Sequence, residues 1–257
     1  MLWGTFGLTH IITLIISILI IIGIYYILRN KTEKTKIITL FILSLSGICA
    51  IIYNLIRWDS PLEYLPLHMC SINAILLPIA ILTRNKKIGN LLILWSLGAL
   101  IALIMNFQGT NYELLSWTFI MYYLPHTLEF GIPILLFIFK IIRLDYKTIP
   151  STLLITFIIY TVIHFINVIL NQYFVDNNIL DWAGNIIQVN YMFSFTPDNP
   201  VLQLFYDIIP HKYFYMLLAF PIIIFYLGCI YVPNQARRNY RLKKAIVNWY
   251  DTSKVDK

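Results

Sequence analysis

Apolar residues fill seven long runs of the chain, at Thr9–Leu28, Ile37–Ile56, Leu62–Leu82, Ile88–Phe107, Leu114–Ile142, Pro150–Phe174 and His211–Val232, with polar residues gathered between them. A run of about 18 or more apolar residues spans a bilayer as a helix. Barrel strands would be shorter and would alternate in polarity, which these runs do not. A helix also satisfies its own backbone groups in hydrocarbon, so no run needs a partner strand. The pattern predicts an all-α, polytopic membrane protein. Its single domain holds seven transmembrane helices at 9–28, 37–56, 62–82, 88–107, 114–142, 150–174 and 211–232, a long loop at 175–210 and a tail at 233–257. The fifth run is the longest and leaves room for an interfacial turn before Trp117. The first run has no Lys or Arg before it, is long for a signal core and lacks a small-residue cleavage site after it. It therefore reads as a span, not a cleaved leader.

Composition agrees: 59% of residues are apolar and 12% charged, against about half and about a quarter in soluble domains. The net charge of +7 would suit nucleic acid, but its placement says otherwise. Lys and Arg fall at 29–36, 84–87, 140–147 and 237–257, seventeen in all, on one side of the seven-helix arrangement; only Arg57 and Lys212 fall on the other. Short loops rich in Lys and Arg stay in the cytoplasm, so the expected orientation in the cell membrane is N-terminus out and C-terminus in. The basic tail adds at most some attraction to anionic headgroups. On this orientation the 175–210 loop is extracellular, carries Asp176, Asp181, Asp198 and Asp207, and is long enough to expect a function.

Ionisable groups inside apolar runs are costly and call for a reason. Cys49, Cys70 and Cys229 all lie in such runs, with neither a disulfide framework nor a zinc spacing. The third run opens Leu65-Pro66-Leu67-His68-Met69-Cys70-Ser71-Ile72-Asn73. Cys70 and Asn73, three apart, share a helix face, whereas His68 does not face with Cys70. A base for Cys70 therefore has to come from another helix. The fifth run offers His126 and Glu129, three apart, a spacing at which a carboxylate can orient an imidazole. At about 1.5 Å per residue, Cys70 and His126 lie about 12 and 14 Å below their helix starts, at similar depth. The sixth run carries His164, Asn167 and Asn171 on one stripe, and Asn54 and Asn106 sit near the ends of the second and fourth runs. These groups are consistent with one pocket open towards the outer leaflet. The plainer alternatives are a small packing cysteine, a histidine bonded to a carbonyl, and asparagines that join helices.

At Leu65-Pro66-Leu67-His68-Met69-Cys70, followed by Leu77-Pro78-Ile79-Ala80, the chain resembles the YwaF-like bacterial membrane proteins. Their eukaryotic relatives are cysteine-dependent membrane acyltransferases acting on phospholipids, and the androgen-induced membrane hydrolases are more distant. The resemblance extends to His126 and to Asn190-Tyr191-Met192-Phe193, with departures at Ser71 and Thr127. It implies a lipid acyltransferase or acyl hydrolase with Cys70 as nucleophile and His126 as base. His68 would polarise the ester or hold the headgroup, and Glu129 would orient His126. Asn73, His164 or Asn167 would donate to the oxyanion, and Tyr191 would line the substrate site. The partners are a phospholipid or other lipid acyl donor and an acceptor; no metal, cofactor or nucleic acid is expected. The alternative is a transporter or lipid-binding module whose polar pocket holds a headgroup without chemistry.

Overall fold

The computed structural model describes residues 1–57, 61–106, 109–181 and 183–255. Eight α-helices account for most of them: α1 (Leu8–Leu28), α2 (Glu33–Arg57), α3 (Met69–Thr83), α4 (Lys86–Met105), α5 (Trp117–Ile138), α6 (Ile149–Asp176), α7 (Pro200–Ile208) and α8 (Phe220–Val255). Six of these, α1, α2, α4, α5, α6 and α8, lie in stretches long and apolar enough to cross a membrane. Most follow the apolar runs, and the departures have local causes. The fourth run ends at Phe107, outside the described residues, while α4 ends at Met105 with Asn106 in the left-handed region. Ser116 accepts from the Phe119 N–H and starts α5 three residues into the fifth run. In the long loop, Asn199 caps the short helix α7 by accepting from the Leu202 N–H. The tail prolongs α8 as far as Val255; the last two tail residues, 256 and 257, lie outside the described residues.

In the seventh run α8 starts at Phe220, after a 3₁₀ stretch at Phe214–Ala219, and not at His211; in the third the helix starts at Met69 and not at Leu62. Pro66 disfavours helical backbone at Leu65 and donates no hydrogen bond itself. His68, extended at φ −71° and ψ 152°, stands at the N-cap without capping through its side chain. At 15 residues, α3 spans about 22 Å, short of the roughly 30 Å hydrocarbon core. The chain before it runs as a 3₁₀ turn at Pro61–Glu63 and irregular backbone up to His68.

Helices α2, α3, α4 and α5 pack tightly together, with α1 laid against α5. Leu40, Leu77, Ile81, Leu92, Leu128 and Ile132 form the central core. A second cluster joins α4 to α8 through Trp95, Leu227 and Tyr231. At the end of the bundle holding residues 1–7 and 109–116, the first residues fold inwards. The Trp3 and Gly4 N–H groups donate to the Tyr112 and Thr110 carbonyls, and the buried Trp3 indole donates to Thr13. His10 is fully engaged, one nitrogen with the Leu103 carbonyl and the other accepting from the Phe6 N–H.

Candidate active site

The late start of α3 puts Cys70 in its first turn. The N–H groups of that turn have no helical acceptor and carry the positive end of the helix dipole. Such a helix N-terminus is a ready anion site. Cys49 and Cys229 are exposed on the helix surfaces instead.

On α5, His126 Nδ1 lies 2.7 Å from the Tyr122 carbonyl oxygen, one turn earlier. A carbonyl only accepts, so Nδ1 carries the proton and the neutral ring keeps its lone pair on Nε2. The Tyr122 ring also lies against the imidazole, with centroids 4.4 Å apart, and its hydroxyl donates to the Ala102 carbonyl on α4. Tyr122 thus fixes the tautomer and orientation of His126, the part that the sequence spacing assigned to Glu129. The signal was present, since residues four apart share a helix face, but nothing in the sequence ranked the carbonyl above the carboxylate.

Glu129 sits elsewhere on α5, 5% exposed between α2 and α3. Gly47 makes room for it: a methyl group at that position would lie 2.9 Å from Glu129 Oε1 and 2.6 Å from Ala74 Cβ. Pro133, four residues on, lacks the N–H that would bond the Glu129 carbonyl within the helix. The Asn73 amide reaches that carbonyl at 3.5 Å. Asn73 is fully buried, and its Oδ1, like Glu129 Oε2, has no hydrogen-bond partner. Glu129 lies within electrostatic reach of both His126 and Cys70, as does His68 of His126 and Tyr122 of Cys70. These five residues therefore form one cluster. Among the described residues no hydrogen bond joins Cys70 to His126.

The irregular segment before α3 is held by the long loop. The Tyr191 hydroxyl donates to the Leu62 carbonyl and accepts from the Leu65 N–H at 3.2 Å. Burial pushes that phenol up to about 12, so it stays a neutral donor. Met192 and Phe193, both in the left-handed region, turn the loop over His68. The His68 ring lies edge-on to Tyr191, and its Nδ1 accepts a long bond from the Met192 N–H, which puts the proton of the neutral ring on Nε2. Non-helical backbone at membrane depth is tolerated only where protein covers it, and this loop supplies the cover.

The α6 stripe anchors the same loop and is not gathered around Cys70. Asn167 Nδ2 donates to the Tyr191 carbonyl and the Ser194 hydroxyl, while its Oδ1 accepts from the Tyr191 N–H. Both amide hydrogens are used, so none remains for an oxyanion. His164 Nδ1 pairs with the Ser194 hydroxyl at 3.0 Å, and Asn171 exchanges two bonds with Val189. The sequence places these three on one face but does not reveal what they face, which is a loop 18 to 30 residues away. No group of three or more His, Cys, Asp or Glu among the described residues is placed to hold a metal ion.

The match to a family model runs over residues 5–231, nearly the whole bundle, and includes every residue of this cluster. The chain belongs to the TMEM164 family. It is thus a member of a membrane-protein family, in keeping with its six long apolar helices. No curated protein and no solved structure matches the chain. The TMEM164 family match does not extend to a YwaF-like or acyltransferase relationship.

Proposed function

We propose that this TMEM164 family member is a lipid acyltransferase or acyl hydrolase of the cell membrane, with Cys70 as nucleophile and His126 as base. The observation that carries the reading is a cysteine at an uncapped helix N-terminus, in one cluster with a histidine whose Nε2 is left as the acceptor. In the first step Nε2 takes the thiol proton and the sulfur attacks the ester carbonyl carbon. The tetrahedral intermediate collapses, and the leaving alkoxide takes the proton back from Nε2. A second hydroxyl, from an acceptor alcohol or water, then gives its proton to Nε2 and attacks the thioester, and the sulfur leaves as the thiol. The first-turn N–H groups of α3 are the best-placed donors for the oxyanion, a role in which one such donor is worth about 3–4 kcal/mol. His68 would meet the ester or headgroup, and the unpartnered Asn73 and Glu129 atoms would meet the acceptor hydroxyl.

The orientation we propose, seven crossings with the N-terminus outside, puts this cluster in the outer half of the bilayer. The test is transfer or release of a labelled acyl chain from phospholipid in nanodiscs, with Cys70→Ala and Cys70→Ser. Both should abolish it while the protein stays folded, because serine is far less acidic and such a site rarely activates it. Wild-type turnover by Cys70→Ser would overturn the thioester. The second reading is a transporter or lipid-binding module, supported by the absence of a direct Cys70–His126 bond. It requires the serine variant to be silent.

A further inference from the structure

Further along the α5 face that carries His126, α4, α5 and α8 border a half-open apolar groove of about 340 Å³, lined by Leu100, Phe130, Ile134, Phe137, Tyr226 and Ile230 among others. We propose that this groove receives one acyl chain of the lipid whose ester is presented to Cys70. The inference rests on the acyl-transfer reading and names where its substrate lies.

The groove continues the face of α5 that carries the candidate base. His126, Phe130, Ile134 and Phe137 follow one another at intervals of four, four and three, which keeps them on one side of a helix. All four are half-buried, whereas Leu128, Ile132 and Leu135 on the opposite side are buried in the bundle. Depth matches as well. Gly98 of α4 packs against Met69, the residue before Cys70, since a methyl group there would lie 3.4 Å from the Met69 sulfur. Leu100, two residues further along α4, therefore lines the groove near the level of the first turn of α3. From Phe130 to Ile138 the groove follows about 12 Å of α5.

The lining selects the occupant. The Tyr226 hydroxyl is bonded to Ser96 at 2.8 Å, so it offers nothing to a headgroup, and the other named residues are hydrocarbon. The volume falls within the roughly 300–1,000 Å³ of small-molecule sites. A single methylene chain, slimmer than a helix of about 10 Å diameter, is an occupant that such an all-hydrocarbon lining suits.

The test uses the full chain in phosphatidylcholine nanodiscs doped with a phospholipid carrying a diazirine near the end of one acyl chain. Photolysis and peptide mapping should place label on residues 130–137 and 226–230 several-fold above the lipid-facing residues of α1 and α6. Cys70→Ala should label like the wild type. Ile134→Trp, which fills the groove, should cut the groove label several-fold, and Ile134→Ala should keep it. Label spread evenly over all lipid-facing helices, or unchanged by Ile134→Trp, would overturn the proposal. Failure of the acyl-transfer reading would register separately, as no acyl release from wild-type protein, a measurement independent of where the label lands.

Discussion

His126 donates its Nδ1 proton to the carbonyl of Tyr122, one helical turn earlier, at 2.7 Å. The bond is local to α5, so it survives whatever happens at the substrate, and it leaves Nε2 as the only nitrogen able to accept a proton. It also yields a clean substitution. In His126→Asn the side-chain amide can keep the donor towards Tyr122 but offers no base. Melting should stay close to wild type, while acyl transfer should fall roughly 10²–10⁴-fold, the usual worth of a general base. His126→Asn with wild-type turnover would assign proton removal to another group.

Gly47 sits where α2, α3 and α5 meet. Alanine there would push a methyl group to 2.6 Å from Ala74 Cβ and 2.9 Å from Glu129 Oε1. Neither neighbour gives way easily, one being a methyl on a packed helix and the other a buried carboxylate. Gly47→Ala should destabilise by about 1–3 kcal/mol, the cost of an overpacked core. Gly23, whose Cβ position is open, is the control, and Gly23→Ala should be neutral or slightly stabilising. Equal melting temperatures for the two variants would contradict the packing.

The helical class and most helix positions were legible because a bilayer imposes length and apolarity, and both are written in composition alone. The start of α3 was not, because hydropathy counts Leu62, Leu65 and Leu67 as membrane residues whether or not they are helical. The break is carried by Pro66 and by Tyr191, and Tyr191 comes from a loop far along the chain. That break is what gives Cys70 a helix N-terminus, so the most telling feature of the candidate site lay in a tertiary contact. The same holds for α6: periodicity aligns His164, Asn167 and Asn171, but their loop partners are set by the fold. Cys70, His126 and Glu129 were singled out as candidates because ionisable groups are costly in hydrocarbon.

Asn167 should act through the loop. It is fully buried and makes three hydrogen bonds to Tyr191 and Ser194. Asn167→Ala leaves buried backbone groups unpaired, at about 1–3 kcal/mol. Thermal melting should fall, and protease should cut within residues 189–195, which are buried or half-buried in the wild type. A variant with unchanged melting and protection but no acyl transfer would return Asn167 to the chemistry.

Asp145 is held below the usual carboxylate range by the Lys86 ammonium at 2.6 Å, helped by the Lys147 N–H. A lowered folded value means that the pair contributes stability above the unfolded value, about 3.9. That contribution is lost as pH falls through the folded value. Both groups are partly exposed, so the gain is about 0.2–1 kcal/mol. Lys86→Met should therefore lower the melting temperature slightly at pH 7 and low salt. The difference should shrink as pH falls below the unfolded value and towards the lower folded one, and should shrink in high salt. A difference that grows on acidification would have the wrong sign for this pair.

The parity of the membrane crossings turns on α3, the one bundle helix too short to span by itself. Arg84 at its end lies 2.6 Å from Glu33 at the start of α2, and Lys86 lies 2.6 Å from Asp145. The basic segments 29–36, 84–87 and 140–147 thus meet at one end of the bundle. Leu62 and Leu65, bonded to Tyr191, lie at the other. The chain leaves the basic end along α2 and returns to it along residues 61–83, of which 15 are α-helical, and the proposed arrangement counts this stretch as a seventh crossing beside the six long helices. On that proposal the termini fall on opposite sides. Since Lys- and Arg-rich short loops are retained in the cytoplasm, reporter fusions after residues 35, 87, 146 and 245 should read cytoplasmic. Fusions at 110 and 190 should read external. A cytoplasmic signal at 190 alongside one at 87 would mean an even number of crossings between them, and would remove both the seven-span arrangement and the outer-leaflet position of Cys70.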